Sequence, residues 1–171
     1  MKWKRDDGGR QEAGFNGDTG DCVTRSIAIA TEKPYREVYD ALNSTRDAMR
    51  QTKRVRGSSA RTGVNRVIYD KYLKSLGWEF VPTMKIGEGC KVHLDPAELP
   101  SGRIICRLSH HLCAVIDGVI HDTFNPNRDK WWEFEPDHGQ ELKPGQFRNA
   151  NGVCTPHDGR RCVYGYYRKA A

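Results

Sequence analysis

The chain has 171 residues, of which 37% are hydrophobic and 29% are charged, and its formal net charge is +6 at pH 7. This length fits one domain with a substantial core. No apolar run approaches the roughly 18 residues that a membrane-spanning helix needs, and the first residues lack the apolar stretch of a secretory signal. We therefore predict a single cytoplasmic domain over residues 1–171 with no membrane partner. The six cysteines are then expected to be free thiols, metal ligands or catalytic groups rather than disulfides.

The positive charge is concentrated in residues 46–74. This segment has nine Lys or Arg against two Asp, so the rest of the chain is close to neutral. A basic segment of this size suits an acidic partner or nucleic acid, and a solvated loop and helix face is the alternative. Tyr69 and Tyr72 have the helical spacing of core residues rather than of a stacking platform, so nucleic acid is the less favoured partner. Residues 46–62 are predicted to be a basic loop.

The first half of the chain predicts helices. Residues 1–20 are expected to be a loop. Residues 22–31 are apolar on nearly all sides, which is typical of a buried, central helix. A second helix is expected to begin at Pro34, and a third has one apolar face over residues 64–76 and ends at Gly77.

The second half of the chain predicts strands. They are short and rich in β-branched residues, and Asp117-Gly118 between two of them is the pattern of a two-residue hairpin turn. Helices that precede strands favour an α+β fold in which an antiparallel sheet packs on one central helix. Residues 124–160 lack a clear period and are predicted to be an irregular excursion. The predicted strands lie within residues 78–84, 102–109, 111–124 and 160–169.

The predicted hairpin decides which histidine can interact with a carboxylate. With Asp117-Gly118 as the turn, His111 is the diagonal neighbour of Asp122 on the same face of the sheet. Asp122 could then accept a hydrogen bond from the imidazole and fix its tautomer. His110 lies on the other face, and a shift of one residue in register would reverse this assignment. A polar pair at a sheet edge is the structural alternative.

Cys22 lies where a polar, glycine-rich loop meets the first predicted helix. The unpaired N–H groups and the dipole of a helix N-terminus lower the pKa of a thiol. A buried thiol that merely begins the helix is the alternative. A buried helix headed by cysteine, followed by a sheet that offers His111 and then Asp122, fits nucleophilic acyl chemistry.

The segments GDCVTRSIAIATEKPYREVYDAL and HLCAVIDGVIHDTFNP resemble the papain-like cysteine peptidase superfamily, and are most similar to small bacterial and phage relatives of bacteriocin-processing and NlpC-type peptidases. The resemblance implies a papain-like fold and a cysteine hydrolase that cleaves an amide or isopeptide bond in a peptide or protein, without a cofactor. It also implies a catalytic triad of Cys22, His111 and Asp122. Papain-like folds also include transglutaminases, deamidases and inactive homologues, which stay open as alternatives.

The same resemblance directs attention to the oxyanion hole. Many members of this superfamily have a glutamine about six residues before the cysteine, and Asn16 stands there in this chain. We expect the main-chain N–H of Cys22 to be the first oxyanion donor and the side chain of Asn16 to be the second. Asp21 would repel an oxyanion and is predicted to be the N-cap of the helix.

Other cysteine and histidine residues suggest a competing interpretation. They follow the patterns C-x2-H and C-x2-H-x4-C, which are plausible spacings for a tetrahedral zinc site. Together with the basic segment, such a site would indicate a zinc-stabilised nucleic-acid-binding module. Neither spacing matches a common zinc finger, so we expect no metal in the functional site. The residues concerned are Cys90, His93, Cys154, His157 and Cys162.

Overall fold

The computed structural model describes most of the chain and contains both helices and strands. The described residues are 1–85, 87–128, 131–157 and 159–170, with side chains for all of these except residues 131, 132, 156 and 157. The predicted α+β class is confirmed. The helices are α1 (Cys22–Thr31), α2 (Tyr35–Asp47), α3 (Lys53–Arg56) and α4 (Arg66–Ser75). The strands are β1 (Lys2–Arg5), β2 (Trp78–Pro82), β3 (Arg103–Leu108), β4 (His111–Ile116), β5 (Val119–Asp122), β6 (Trp131–Glu135), β7 (Phe147–Asn149), β8 (Gly152–His157) and β9 (Gly165–Lys169).

Helix α1 is the buried helix that the sequence predicts. Eight of its ten residues are buried, because its apolar side chains leave almost no polar face. It packs on β4 and against α2. The helix ends at Glu32, whose φ of 57° is left-handed and stops the helical path. Helices α2 and α4 each bury one stripe of side chains, as their spacing predicts.

The sheet beneath α1 is mixed rather than antiparallel. Its six strands have the order β1-β5-β4-β3-β9-β2, and β1 runs parallel to β5 while the other pairs are antiparallel. The prediction of a loop over residues 1–20 is therefore wrong at β1. This strand has four exposed residues and no apolar alternation, so its sequence carries no signal for a half-buried strand. Main-chain pairing with β5 defines it instead.

The β4–β5 hairpin forms in the predicted register. Asp117 and Gly118 have φ of 46° and 77°, as a type I′ turn requires, and Val115 pairs with Ile120. Apolar side chains alternate as expected. Leu112 and Ala114 belong to the cluster around α1, and Val115 and Ile120 belong to a second cluster that does not include α1.

Two other segments are more ordered than the sequence indicates. Within the predicted basic loop of residues 46–62, Thr52 accepts a hydrogen bond from the N–H of Val55 and caps α3. Val55 is buried and anchors this short helix. Four residues are too few to show a helical period in the sequence. Within the predicted excursion of residues 124–160, β6, β8 and β7 form a three-stranded sheet. Strands β7 and β8 are joined by a two-residue turn that contains Asn151, and Asn151-Gly152 is a hairpin signal in the sequence. A longer polar segment without such a signal separates β6 from β7.

A disulfide joins Cys90 and Cys162, contrary to the expectation of free thiols. Their Cα atoms lie 5.8 Å apart across a sequence separation of 72 residues. The flanking segments are already paired, since His93 forms a bridge with Cys162 and the N–H of Val163 donates to the carbonyl of Val92 at 2.8 Å. In the part of the chain that the structure describes, no helix is long and apolar enough to cross a membrane. The cytoplasmic location stays a prediction, which a disulfide does not support.

Candidate active site

The first residue of α1 and the first residue of β4 bring a thiol and an imidazole together. The thiol of Cys22 and the ring of His111 interact electrostatically, and each stabilises the charged form of the other. The chain enters β4 through a tight turn in which His110 has a φ of 54° and is exposed. The turn therefore leaves His110 at the surface and directs His111, whose side chain is 10% exposed, toward the helix.

Asp122 at the end of β5 completes this series of side chains. Its Oδ2 lies 2.6 Å from Nε2 of His111. Because Nε2 faces the carboxylate, Nδ1 is the ring nitrogen left to interact with the thiol of Cys22. The structure thus brings together all three residues that the sequence assigns to a triad.

His111 and Asp122 reach α1 although strict alternation assigns them to the far face of the sheet. Leu112 and Ala114 pack against α1, so the residue before them should point away from it. The β4–β5 ladder, however, ends at the pair Ala114–His121. His111 and Asp122 lie beyond this pair, and each is in the last pair of another ladder, His111 with Leu108 of β3 and Asp122 with Arg5 of β1.

Arg25 holds the carboxylate of Asp122 from inside the protein. Its Nη1 donates to Oδ1 of Asp122 at 2.5 Å, and both side chains are almost fully buried. The N–H of Thr123 donates to the same oxygen at 2.7 Å. The carbonyl of Asp122 accepts hydrogen bonds from Nε1 of Trp3 at 3.2 Å and from the N–H of Asp6 at 3.0 Å. Strand β1 and helix α1 therefore fix the main chain and the side chain of Asp122 independently.

Asp21 has a different role from the helix cap that the sequence predicts. Its side chain makes no capping hydrogen bond. Instead, its carboxylate accepts hydrogen bonds from Nε of Arg25 at 2.9 Å and from the hydroxyl of Tyr35 at 2.7 Å, and it is buried. The buried guanidinium of Arg25, one turn further along the same helix, is the charged partner of this carboxylate. Asp21 therefore holds Arg25, which in turn holds Asp122.

The charges of the three residues stabilise one another. Burial alone would raise the pKa of the Cys22 thiol, but the hydrogen bond and charge of His111, the N–H of Leu112 and the charge of Arg25 lower it overall. Burial would lower the pKa of His111, but Asp122 and Cys22 raise it to about 9. Burial opposes ionisation of Asp122, whereas His111 and Arg25 lower its pKa below the usual value. These directions favour the pair of thiolate and imidazolium over the pair of neutral thiol and neutral imidazole.

Cys22 and His111 line a cleft of about 700 Å³, and Asp122 lies behind the ring of His111. The residues that line it include Cys22, His111, Tyr69, Arg107 and Phe124. The ring of Phe124 is 50% exposed and lies 4.9 Å from the ring of His111. The cleft therefore offers a substrate an apolar side as well as the thiol, the hydroxyl of Tyr69 and the guanidinium of Arg107.

Asn16 does not take part in this cleft, so its assignment to the oxyanion hole is corrected. Its side chain is exposed, and its main-chain carbonyl accepts a hydrogen bond from Arg61. The loop between Asn16 and the helix instead places Thr19 and Gly20 along the cleft. Gly20 packs so closely against Thr62 that a Cβ would lie 2.8 Å from its carbonyl oxygen. This contact fixes the loop with Asn16 outside.

The structure brings Cys90, His93 and Cys162 close together, but not as a set of zinc ligands. The disulfide uses the sulfurs of Cys90 and Cys162, and a thiol must be free to bind zinc as thiolate. Cys154 is buried on β8, and Nδ1 of His93 lies 3.1 Å from a carboxylate oxygen of Glu98. Among the described side chains, no group of three or more His, Cys, Asp or Glu could hold a metal ion. The side chain of His157 lies outside the described residues.

The basic segment lies partly on α3 and partly on α4. Lys53, Arg54 and Arg56 on α3 are exposed. Arg46 and Arg66 instead pair with aspartates of their own helices. An acidic partner at this surface stays a prediction.

Sequence reasoning missed several residues that support the site. Arg25 is four residues after Asp21, a spacing that puts both on one helix face, and an arginine inside an otherwise apolar helix signals a buried charge that needs partners. The roles of Trp3, Tyr69 and Arg107 depend on contacts between distant parts of the chain. No local pattern marks them.

No family model, no curated protein and no solved structure matches this chain. The function must therefore be argued from the side chains of the site.

Replacing Arg25 should destabilise the fold. In Arg25→Met, the buried carboxylates of Asp21 and Asp122 lose their shared cation, so we expect the free energy of unfolding to fall by about 3–5 kcal/mol. Urea denaturation followed by circular dichroism measures it. Lys33→Met is the matched control, because Lys33 also pairs with a residue four positions away, Glu37, but at the surface. The control should leave stability nearly unchanged, and equal effects in both variants would contradict the role of Arg25 as the buried partner of both carboxylates.

The lowered pKa of Cys22 predicts alkylation in mildly acidic solution. A group with a depressed pKa is ionised at lower pH, so iodoacetamide should modify Cys22 at pH 6, where an ordinary thiol is protonated. In His111→Gln, the rate at pH 6 should fall about tenfold or more. Mass spectrometry separates Cys22 from the buried thiols of Cys106 and Cys113, whose pKa values are raised by burial.

His121→Gln provides the control for this pH profile. Nδ1 of His121 also lies close to an aspartate, Asp6, at 2.9 Å, but this residue lines a different cavity. Its replacement should leave the alkylation of Cys22 at pH 6 unchanged. If His111→Gln and His121→Gln behave alike, the assignment of His111 as the partner of Cys22 is wrong.

Proposed function

We propose that the protein is a cysteine hydrolase of papain-like type that cleaves an amide or isopeptide bond in a peptide or protein. One observation carries the proposal: the thiol of Cys22 and the ring of His111 interact at the wall of a cleft, and Asp122 is hydrogen-bonded to that ring at Nε2. The order of these residues along the chain, and the helix that begins at the thiol, support the papain-like assignment. The aspartate is buried, where it can orient the base, and the thiol borders the cleft, where a substrate can reach it. Both features fit an enzyme that uses a cysteine nucleophile.

The reaction follows from the charges of the site. The thiolate of Cys22 attacks the carbonyl carbon of the substrate and forms a tetrahedral oxyanion. The imidazolium of His111 gives its proton to the leaving nitrogen, the carbon–nitrogen bond breaks, and a thioester remains on Cys22. His111, now neutral, takes a proton from water, whose oxygen attacks the thioester. The acid product leaves, and Cys22 and His111 return to their charged forms.

Two groups are placed to stabilise the oxyanion. The main-chain N–H of Cys22 belongs to the first turn of α1, whose N–H groups have no acceptor within the helix, and the side chain of Asp21 is occupied elsewhere. The hydroxyl of Tyr69 belongs to a residue that lines the cleft and interacts electrostatically with Cys22. We assign it as the second donor in place of Asn16.

Peptides from a digested cell extract provide a test that needs no known substrate. The wild-type protein should create new peptide termini, which mass spectrometry detects, and Cys22→Ala should create none. The same samples, supplied with a biotinylated amine, report transfer to an amine by its incorporation and deamidation by a gain of about one mass unit. Cys22-dependent incorporation or deamidation in place of cleavage would overturn hydrolysis but keep the nucleophile. No Cys22-dependent change of any kind would contradict the proposal.

The variant Tyr69→Phe tests the role of the oxyanion donor independently of the reactivity of the nucleophile. The variant should label with iodoacetamide as fast as the wild type, because alkylation forms no oxyanion. Its rate of peptide cleavage should fall about 100-fold, as for the loss of one oxyanion donor. An unchanged cleavage rate would remove Tyr69 from the mechanism.

A further inference from the structure

Arg107 is a cation in the cleft whose charge nothing in the described part of the chain neutralises. It lies on β3, is half-buried, and lines the cleft with Cys22. Its guanidinium lies 5.9 Å from the centre of the Tyr164 ring. Among the described residues, no carboxylate pairs with it. Arg103 on the same strand, by contrast, pairs with Glu32 at 2.6 Å.

The electrostatic surroundings leave the charge of Arg107 effective. The residues that line the cleft include neither Asp nor Glu. The two nearby buried carboxylates, Asp21 and Asp122, already share the charge of Arg25. The cleft therefore attracts anions, and a guanidinium without a partner is suited to a carboxylate, which it can bind through two parallel hydrogen bonds.

The cleft continues beyond Arg107, which leaves space for a substrate there. Arg107 and Tyr164 also line an adjoining cavity of about 290 Å³, together with Met84 and Lys85. Nζ of Lys85 lies 3.9 Å from a carboxylate oxygen of Glu88, so Arg107 is the unpaired charge among these four described residues. A chain bound across Cys22 can thus extend past Arg107 along a cavity whose described lining includes neither Asp nor Glu.

We propose that Arg107 selects substrates that carry a carboxylate close to the bond cleaved. This inference rests on the proposed function and names its substrate class: peptides with an acidic side chain or a free C-terminus next to the reacting carbonyl. The guanidinium is within cation–π distance of the Tyr164 ring, which favours a position of Arg107 at the cleft before the substrate binds.

Three acrylamide probes test the preference directly. N-acryloyl-glutamine amide is neutral, N-acryloyl-glutamate amide carries a side-chain carboxylate, and N-acryloyl-glutamine carries a terminal carboxylate. The rate constant for labelling of Cys22 by each probe is measured by mass spectrometry. At least one carboxylate probe should react about tenfold faster than the neutral probe, as expected for a charge-assisted pair. The faster of the two identifies the source of the carboxylate.

Arg107→Gln should abolish this preference, and Arg103→Gln should retain it. The control changes the same residue type on the same strand, but at a site outside the cleft. A wild-type protein that labels rapidly with the neutral probe and shows no preference would overturn the proposal for Arg107 alone. So would a preference that survives in Arg107→Gln. If the proposed function itself is wrong, the result is different. The neutral probe then labels Cys22 in the wild-type protein no faster than in His111→Gln.

Discussion

The buried guanidinium of Arg25 is the interaction on which the site depends. It bonds Asp21 at the start of its own helix and Asp122 at the end of β5. Isolated carboxylates in a protein interior are costly, and they take up protons unless a cation or several donors stabilise them. Arg25 bonds both carboxylates, and Arg10 and Arg61 add positive charge near Asp21. Asp122 therefore stays ionised and can orient His111. The same contacts tie the helix that holds the nucleophile to the strand that ends in the aspartate.

The site is assembled at the ends of secondary-structure elements. Cys22 begins α1, His111 begins β4, and Asp122 ends β5. Strand β1 adds hydrogen bonds to the carbonyl of Asp122 from the edge of the sheet. Because the helix packs on the sheet, these three element ends from distant parts of the chain are held rigidly together.

Local patterns predict the parts of the fold that have strong periodicity. The apolar residues of α1, the Asp117-Gly118 turn and the resulting register are all visible in the sequence, and they identify His111 and Asp122 as neighbours. Strand β1 is not visible, because its pairing with β5 rests on main-chain hydrogen bonds. The disulfide of Cys90 and Cys162 depends on chain segments that meet only in the folded protein.

The errors at the site have the same origin. The distance of Asn16 from the cysteine along the chain predicts an oxyanion donor. The contact of Gly20 with Thr62, however, determines where that loop lies. Asp21 stands at the position of a helix cap, but two long-range partners compete for its carboxylate and replace the cap. Tyr69 has the spacing of a core residue, and it is both buried and part of the cleft lining. The spacing of residues along one helix does not reveal which groups the polar end of a tyrosine side chain contacts.

The central claim is that His111 is held as an imidazolium between Cys22 and Asp122. An NMR titration of the His111 ring carbons measures its pKa directly, with resonances assigned by comparison with His111→Gln. The account predicts a pKa of about 9 in the wild-type protein and a lower value in Cys22→Ala, where the thiolate is absent. A pKa near the ordinary 6.5 that does not respond to the loss of Cys22 would contradict it.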